Sequence, residues 1–232
     1  MGIPTPKGIR AFQHCILSWH TANSRHYPWR ETPDPYRVLI AEMLLQQTDA
    51  PKVVPVYSAF VERFPTIACL AQSDIAEVAE LLAPLGLNYR AQRLMSIAQR
   101  ILADFRGQVP SSEAQLLRLP GVGRYIARSV CAAAFGQHKG VLDTNIIRIL
   151  SRCFGIRSSR ARAREDSELW DLLNRLVPPR TIAAPSHWNW ALLDFAASVC
   201  THFSPDCSCC PVANSRRCRH QVCSASAITR RP

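Results

Sequence analysis

A run of cysteines near the C-terminal end constrains this chain most. Cys200, Cys207, Cys210 and Cys218 read Cys-x6-Cys-x2-Cys-x7-Cys. Four thiolates spaced this tightly can surround one metal centre, either a zinc ion or an iron–sulfur cluster, and the chain between them must then wrap around it. A disulfide knot would suit an exported chain, but no leader pattern opens this one, so metal binding is the expectation. Cys209 lies inside the run and Cys223 beyond it, and each is an alternative fourth ligand. Cys15, Cys69, Cys131 and Cys153 complete the ten cysteines. They fall in helical patterns and are expected to be small buried apolar residues.

A helical period runs nearly throughout the rest of the chain. Ile9, Phe12, Ile16 and Trp19 share one stripe. Asp34-Pro35 reads as the N-cap and first residue of a helix reaching about Gln47. Lys52 to Phe64 reads as the next helix, with Pro55 in its first turn. Ser73 is expected to cap a helix ending near Leu82, and Ser112 with Gln115 to form a capping box. Leu94, Ile97, Ile101 and Phe105 mark a longer helix. Arg124–Phe135, Thr144–Phe154, Glu165–Leu176 and Trp188–Val199 complete the set. No alternating stretch is long enough for a strand, so the expected class is all-α. Arg157–Arg164 reads as a basic connecting loop and Ser224–Pro232 as a frayed end.

Of the 232 residues 47% are hydrophobic, enough for a real core, and the net charge is +11. A basic surface favours polyanions by neutralising phosphates and releasing counterions. Lys7, Lys52 and Lys139 are the only lysines, so arginine carries most of that charge. The longest apolar stretches, Val130–Phe135 and Ala191–Cys200, are too short to span a bilayer. No membrane association is expected. The expectation is a soluble, monomeric, cytoplasmic and nucleoid-associated protein.

Between two helical segments stands Leu119-Pro120-Gly121-Val122-Gly123-Arg124-Tyr125. The glycines permit turns that a Cβ would forbid and let the backbone approach a phosphate. The amides of Gly121, Gly123 and Arg124 would open the next helix, where direct donors and the helix dipole bind an anion. A monovalent cation at this hairpin is a further candidate ligand. Asp143 follows Gly123 by twenty residues. Alone it reads as a helix N-cap, but a cap does not account for its combination with the hairpin and the cysteine run.

Taken together, these motifs resemble the helix–hairpin–helix superfamily of DNA glycosylases, in the branch holding endonuclease III, adenine DNA glycosylase and the thymine–guanine mismatch glycosylases. The resemblance extends from about Phe12 to Cys218. It implies a two-lobed fold: a helical barrel lobe over 27–137 with the hairpin, and an iron–sulfur lobe from 1–26 plus 138–232, with Asp143 at the mouth of a cleft. It implies a double-stranded DNA substrate containing a mispaired or damaged base. Asp143 would be the catalytic carboxylate, stabilising the cationic sugar and activating water once the nucleotide is flipped out of the stack. Strand-cutting members carry a lysine that forms a Schiff base where this chain has Tyr125. The implied enzyme is therefore monofunctional.

Further site residues follow from the same resemblance. Trp29 and Arg30, in Tyr27-Pro28-Trp29-Arg30, would line the base pocket, with core packing the competing reading for Trp29. Glu42 lies in an apolar helical context. It is either an ion-paired structural group or a base-contacting acid with a raised pKa, and the resemblance implies the second. Gln47 would wedge into the gap left in the duplex, with Gln46 beside it. Cys200, Cys207, Cys210 and Cys218 would hold a [4Fe–4S] cluster, although the family's last spacing is normally five residues. Arg216, Arg217 and Arg219 would give the cluster loop its charge. Ala50 and the apolar Trp190 depart from the adenine-removing pattern, which usually has Val and then Gln or Glu there. The chain runs only a short way past the cysteines, so the extra C-terminal domain of most adenine enzymes is expected to be missing. The expectation is thymine or uracil opposite guanine. Adenine, whose enzymes share Gln46-Gln47-Thr48, is the alternative, and a damaged or modified base a further one.

Overall fold

The computed structural model describes residues 4–86, 89–214 and 218–220. Arg216, Arg217, Cys223 and the 224–232 end lie outside the described residues. The α-helices, in order, are α1 Pro6–Asn23, α2 Pro35–Leu44, α3 Ala50–Arg63, α4 Ile67–Ala71, α5 Ile75–Leu82, α6 Tyr89–Phe105, α7 Glu113–Leu116, α8 Arg124–Phe135, α9 Thr144–Phe154, α10 Ser167–Leu176, α11 Pro185–Ser198 and α12 Pro211–Asn214. Short 3-10 turns occupy Pro28–Arg30, Ala83–Leu85 and Ala163–Glu165. Among the described residues there is no strand, and no helix is long and apolar enough to cross a membrane.

Two compact units divide the chain: His26–Gln137, and Met1–Arg25 with His138–Pro232. Each has a core of its own. In the 26–137 unit Leu39, Leu44, Val53, Phe60, Phe64, Ile101 and Val130 are sealed from solvent. In the other unit Phe12, Ile16, Trp170, Trp188 and Phe195 are sealed. Each such side chain contributes about 1.5–3 kcal/mol by leaving water. Within this second unit the Asp194 carboxylate on α11 is fully buried and accepts from His20 at 3.0 Å and from the Arg25 side chain at 2.7 Å. A carboxylate can be buried this deeply when its charge is matched and its lone pairs are filled.

Local chemistry sets most helix ends. Asp34 accepts from the Arg37 amide at 2.9 Å, and Pro35 supplies a preset φ in the first turn of α2. Gly136 and Gly155 close α8 and α9 in left-handed geometry at φ 59° and 69°. Several expectations need correction. Asp74, not Ser73, caps α5, because the Asp74 carboxylate reaches the Ala76 amide while the Ser73 hydroxyl donates back to Leu70. Ser112 stands at the start of α7 but makes no capping bond. Helix α2 stops at Leu44, since Gln47 turns left-handed at φ 54°. Helix α3 opens at Ala50, so Pro55 sits in its second turn, on an exposed face where a missing N–H is least costly. The last two long helices begin at Ser167 and Pro185 rather than Glu165 and Trp188.

Candidate active site

In the 26–137 unit the hairpin is anchored by its apolar residues. Leu119 and Val122 are buried, and the Val122 amide closes the turn on the Leu119 carbonyl at 3.2 Å. Gly121 has φ 72°, and a Cβ there would lie 2.3 Å from Cδ of Arg93. Position 121 thus needs glycine for its torsion, while the Arg93 side chain can swing away from an added Cβ. Gly123 is the N-cap of α8 and brings no side chain to satisfy the first amides. The start of α8 is the positive end of its helix dipole, the kind of place that favours an anion. The Arg124 side chain turns to Glu113 at 3.4 Å.

Beside the hairpin stands the turn after α2. Gln46 donates through Nε2 to the Gly121 carbonyl at 3.1 Å, and the Gln47 side chain is exposed. Glu42, half-buried on α2, accepts a hydrogen bond from the Ser129 hydroxyl on α8 at 2.6 Å. Tyr125 occupies the second position of α8 and packs, half-buried, against the core of this unit. Ala50 begins α3 and packs on the same core. Trp29 is buried: it stacks on Tyr27 at 4.9 Å and meets Tyr57 edge-on at 5.3 Å. The Arg30 guanidinium lies 5.0 Å from the centre of the Tyr27 ring.

In the other unit Asp143 is the N-cap of α9. One carboxylate oxygen accepts the Ile146 amide at 2.8 Å and the other the Asn145 side-chain amide at 2.7 Å. The capping reading of Asp143 is therefore correct, and its carboxylate is held in a single orientation. Asn145 in turn accepts from Arg148 at 2.9 Å, and Arg148 donates to the carbonyls of Cys200 at 2.8 Å and Ala196 at 3.0 Å. A continuous set of hydrogen bonds thus runs from Asp143 to the first cysteine of the run. Asn189, buried on α11, accepts from the Val141 amide at 3.3 Å and donates to the Lys139 carbonyl at 3.0 Å. It fixes the segment leading into Asp143. Trp190, next along α11, is half-buried. Sequence reasoning missed Ser129, Asn145, Arg148 and Asn189 as site residues. The Asn145–Arg148 pair did carry a signal, since residues three apart share a helix face.

Cys200, Cys207, Cys210 and Cys218 line one small cavity. Cys153 lines it too, and its thiol hydrogen-bonds to Cys218. Cys153 is buried, as expected, but it belongs to the cysteine site rather than to the scattered apolar set. Cys69 is exposed and Cys15 half-buried, against the expectation of burial for both. Cys209 is exposed, and its thiol donates to the Asp206 carbonyl at 3.7 Å. The cavity's donors suit anionic sulfur: the Ala213 amide points at Cys210 Sγ at 3.4 Å and Arg152 at Cys200 Sγ at 3.6 Å. Among the described residues no three His, Cys, Asp or Glu side chains are grouped as ligands of a single metal ion. A thiol-lined cavity with N–H donors aimed at sulfur fits a sulfur-bridged cluster.

The model of the "HhH-GPD superfamily base excision DNA repair protein" family matches residues 40–175. The chain is 38% identical over 214 residues to the thymine/uracil-DNA glycosylase of Pyrobaculum aerophilum, covering 90% of this chain and 93% of that protein. It is 35% identical to the adenine DNA glycosylase of Homo sapiens over 92% of this chain, but only 40% of that protein. Among solved structures it superposes on a thermostable thymine-DNA glycosylase with a TM-score of 0.86 and 32% identity, covering 94% of this chain and 98% of that one. An endonuclease III–DNA complex at 22% identity has the same fold, with a TM-score of 0.80 over 96% of this chain and 99% of that one. The hairpin, the capped aspartate and these likenesses agree: the chain belongs to the HhH-GPD superfamily of base excision DNA repair proteins.

Proposed function

We propose that the protein is a monofunctional DNA glycosylase that removes thymine or uracil paired with guanine. The observation that carries this reading is Asp143, a half-buried carboxylate whose two oxygens are held in place by Ile146 and Asn145. Water adds to C1′ of the sugar as the N-glycosidic bond breaks, giving an abasic site and a free base. Asp143 stabilises the cationic sugar and takes the proton of the attacking water. Glu42, oriented by Ser129, contacts the flipped base and supplies a proton to it as it leaves. The α8 amides at Gly123 and Arg124 grip a phosphate of the target strand. Gln47 fills the vacated space in the stack, and Gln46, Arg30, Ala50 and Trp190 border the bases, while Trp29 packs in the core, the competing reading for it. Tyr125 offers no amine, so no Schiff base forms and the strand stays intact after excision.

The choice of base rests on Ala50 and Trp190, and on relatives named thymine/uracil-DNA glycosylase in Pyrobaculum aerophilum and Methanothermobacter thermautotrophicus. Adenine is a second reading, favoured by Gln46-Gln47-Thr48 and by the human relative. The chemistry of the cavity favours a [4Fe–4S] cluster held by Cys200, Cys207, Cys210 and Cys218, with Cys153 adjoining. These thiols line one cavity. Bound there, the cluster would brace the loop that carries Arg219 and act as a structural and redox-active centre.

Single-turnover excision on duplexes carrying T or U opposite G, A opposite G, and A opposite 8-oxoguanine tests the reading. Alkali-labile cleavage at T·G and U·G alone supports it, and cleavage confined to adenine-containing pairs replaces it with the adenine reading. Absorbance at about 400 nm with bound iron and sulfide supports the cluster. A colourless protein with one zinc per chain refutes it.

A further inference from the structure

Arg90, on α6, is 3% exposed, so it is a buried arginine in a chain whose other basic residues are mostly at the surface. Its Nη2 donates to the Gln46 carbonyl and, at 2.6 Å, to the Thr48 hydroxyl. The Thr48 hydroxyl in turn donates to the same Gln46 carbonyl at 3.3 Å. These bonds bracket Gln47 from both sides. Gln47 is one of two non-glycine residues at positive φ among the described residues, at φ 54°. A residue with a Cβ occupies that region only where its surroundings hold it there.

The arrangement is poorly explained by stability alone. Nε and Nη1 of Arg90 are buried and have no hydrogen-bond partner among the described residues. Burial depresses the affinity of this guanidinium for its proton. Burying a charge with unmet donors is unfavourable, so the side chain is held here at a cost to the fold. Among the described residues its hydrogen bonds go to the Gln46–Thr48 turn. The same turn is tied to the hairpin through Gln46, which donates to the Gly121 carbonyl at 3.1 Å and accepts from Arg93 at 3.5 Å.

We infer that Arg90 is a positioning residue for the DNA-inserting turn, holding Gln47 in its left-handed conformation before DNA arrives, while Gln46 locks that turn to the phosphate-gripping hairpin. The inference rests on the reading of Gln47 as the group that enters the stack. Preorganisation removes the ordering cost that a free turn would meet on insertion. Phosphate capture and insertion then act as one rigid step, and Arg90 acts on the flipped state rather than on initial binding.

A double-mutant cycle reads this directly. Arg90→Met keeps the stem and removes the fork. It is expected to slow single-turnover excision by about tenfold to a hundredfold, the worth of a charge-assisted bond. It should lower 2-aminopurine fluorescence at the target site similarly, and leave affinity for a fully matched duplex within about twofold. In a Gln47→Ala background the same change should cost less than about twofold, because the group it positions is gone. Arg90→Lys, which retains charge but not the fork, should fall between, and it replaces Arg90→Met in the cycle if that variant fails to fold. An Arg90 loss that persists undiminished beside Gln47→Ala, or equal weakening on matched DNA, overturns the inference while the glycosylase reading stands. A wild-type protein that excises no mispaired base overturns the glycosylase reading itself.

Discussion

Replacing Asp143 by asparagine separates charge from geometry at the proposed catalytic centre. In the native protein Oδ1 accepts the Ile146 amide at 2.8 Å and Oδ2 the Asn145 amide at 2.7 Å. An asparagine of the same shape keeps one acceptor and puts an NH2 group where the second stood. One bond is lost and two donors face each other, costing about 1–3 kcal/mol. In a chain of this size each kcal/mol is worth about 2–4 °C, so Tm should fall by about 2–12 °C. Excision should fall much further, by about a hundredfold to a thousandfold, because the anion beside the developing sugar cation is gone. Asn145→Ala is the matched control: it removes the same hydrogen bond and keeps the carboxylate. It should show a similar Tm loss with a rate loss of about tenfold or less. The assay is single-turnover excision with enzyme in excess, paired with thermal melts of the same samples. Equal rate losses in Asp143→Asn and Asn145→Ala would refute the argument, since placement rather than charge would then carry the effect. So would an Asp143→Asn protein that excises within about threefold of wild type.

Three further outcomes follow from the same geometry. Tyr125→Lys puts an amine one residue into α8 and should create borohydride-trapped enzyme–DNA adducts absent from wild type; no adduct with either protein would show that position 125 does not face the sugar. Gly121→Ala should weaken binding to mispaired and matched duplex alike, by about tenfold, because a residue with a Cβ is strained at its φ of 72° and the hairpin shifts to relieve this; unchanged filter binding would contradict this. The Asp166 carboxyl, which caps α10, is held below the usual carboxylate range chiefly by the Ser158 hydroxyl and then by the amides of Glu168 and Leu169. Its depressed folded pKa adds stability above the unfolded value of about 3.9, which is lost as pH falls through the folded value. The Tm gap between wild type and Ser158→Ala should be present at neutral pH and shrink below about pH 4; a gap that widens in acid would contradict it.

Legibility from sequence followed the range of the interaction. Helices α8 and α9 were readable to the residue, because each has a local stop and start: Gly123 and Gly136 for one, Asp143 and Gly155 for the other. The hairpin was readable because Gly121 answers a torsion that few other residues adopt, and the cysteine run because its thiols are close in sequence. Competing local signals were harder to rank. Ser73 and Asp74 can each cap a helix, and only the structure shows the carboxylate taking the amide while the hydroxyl turns back to Leu70. What tertiary packing alone decided lies between segments far apart in the chain. Asn189 fixes the approach to Asp143 from 46–50 residues away, Ser129 orients Glu42 across 87, and Arg90 brackets Gln47 across 42–44. The Cys153 thiol joins the cavity of the C-terminal cysteines in the same way. Helix periods and motif spacings record which residue types a segment needs. Which distant side chain fills each unmet donor or acceptor is settled when the cores close and water is excluded, because only then does an unpaired polar group become costly.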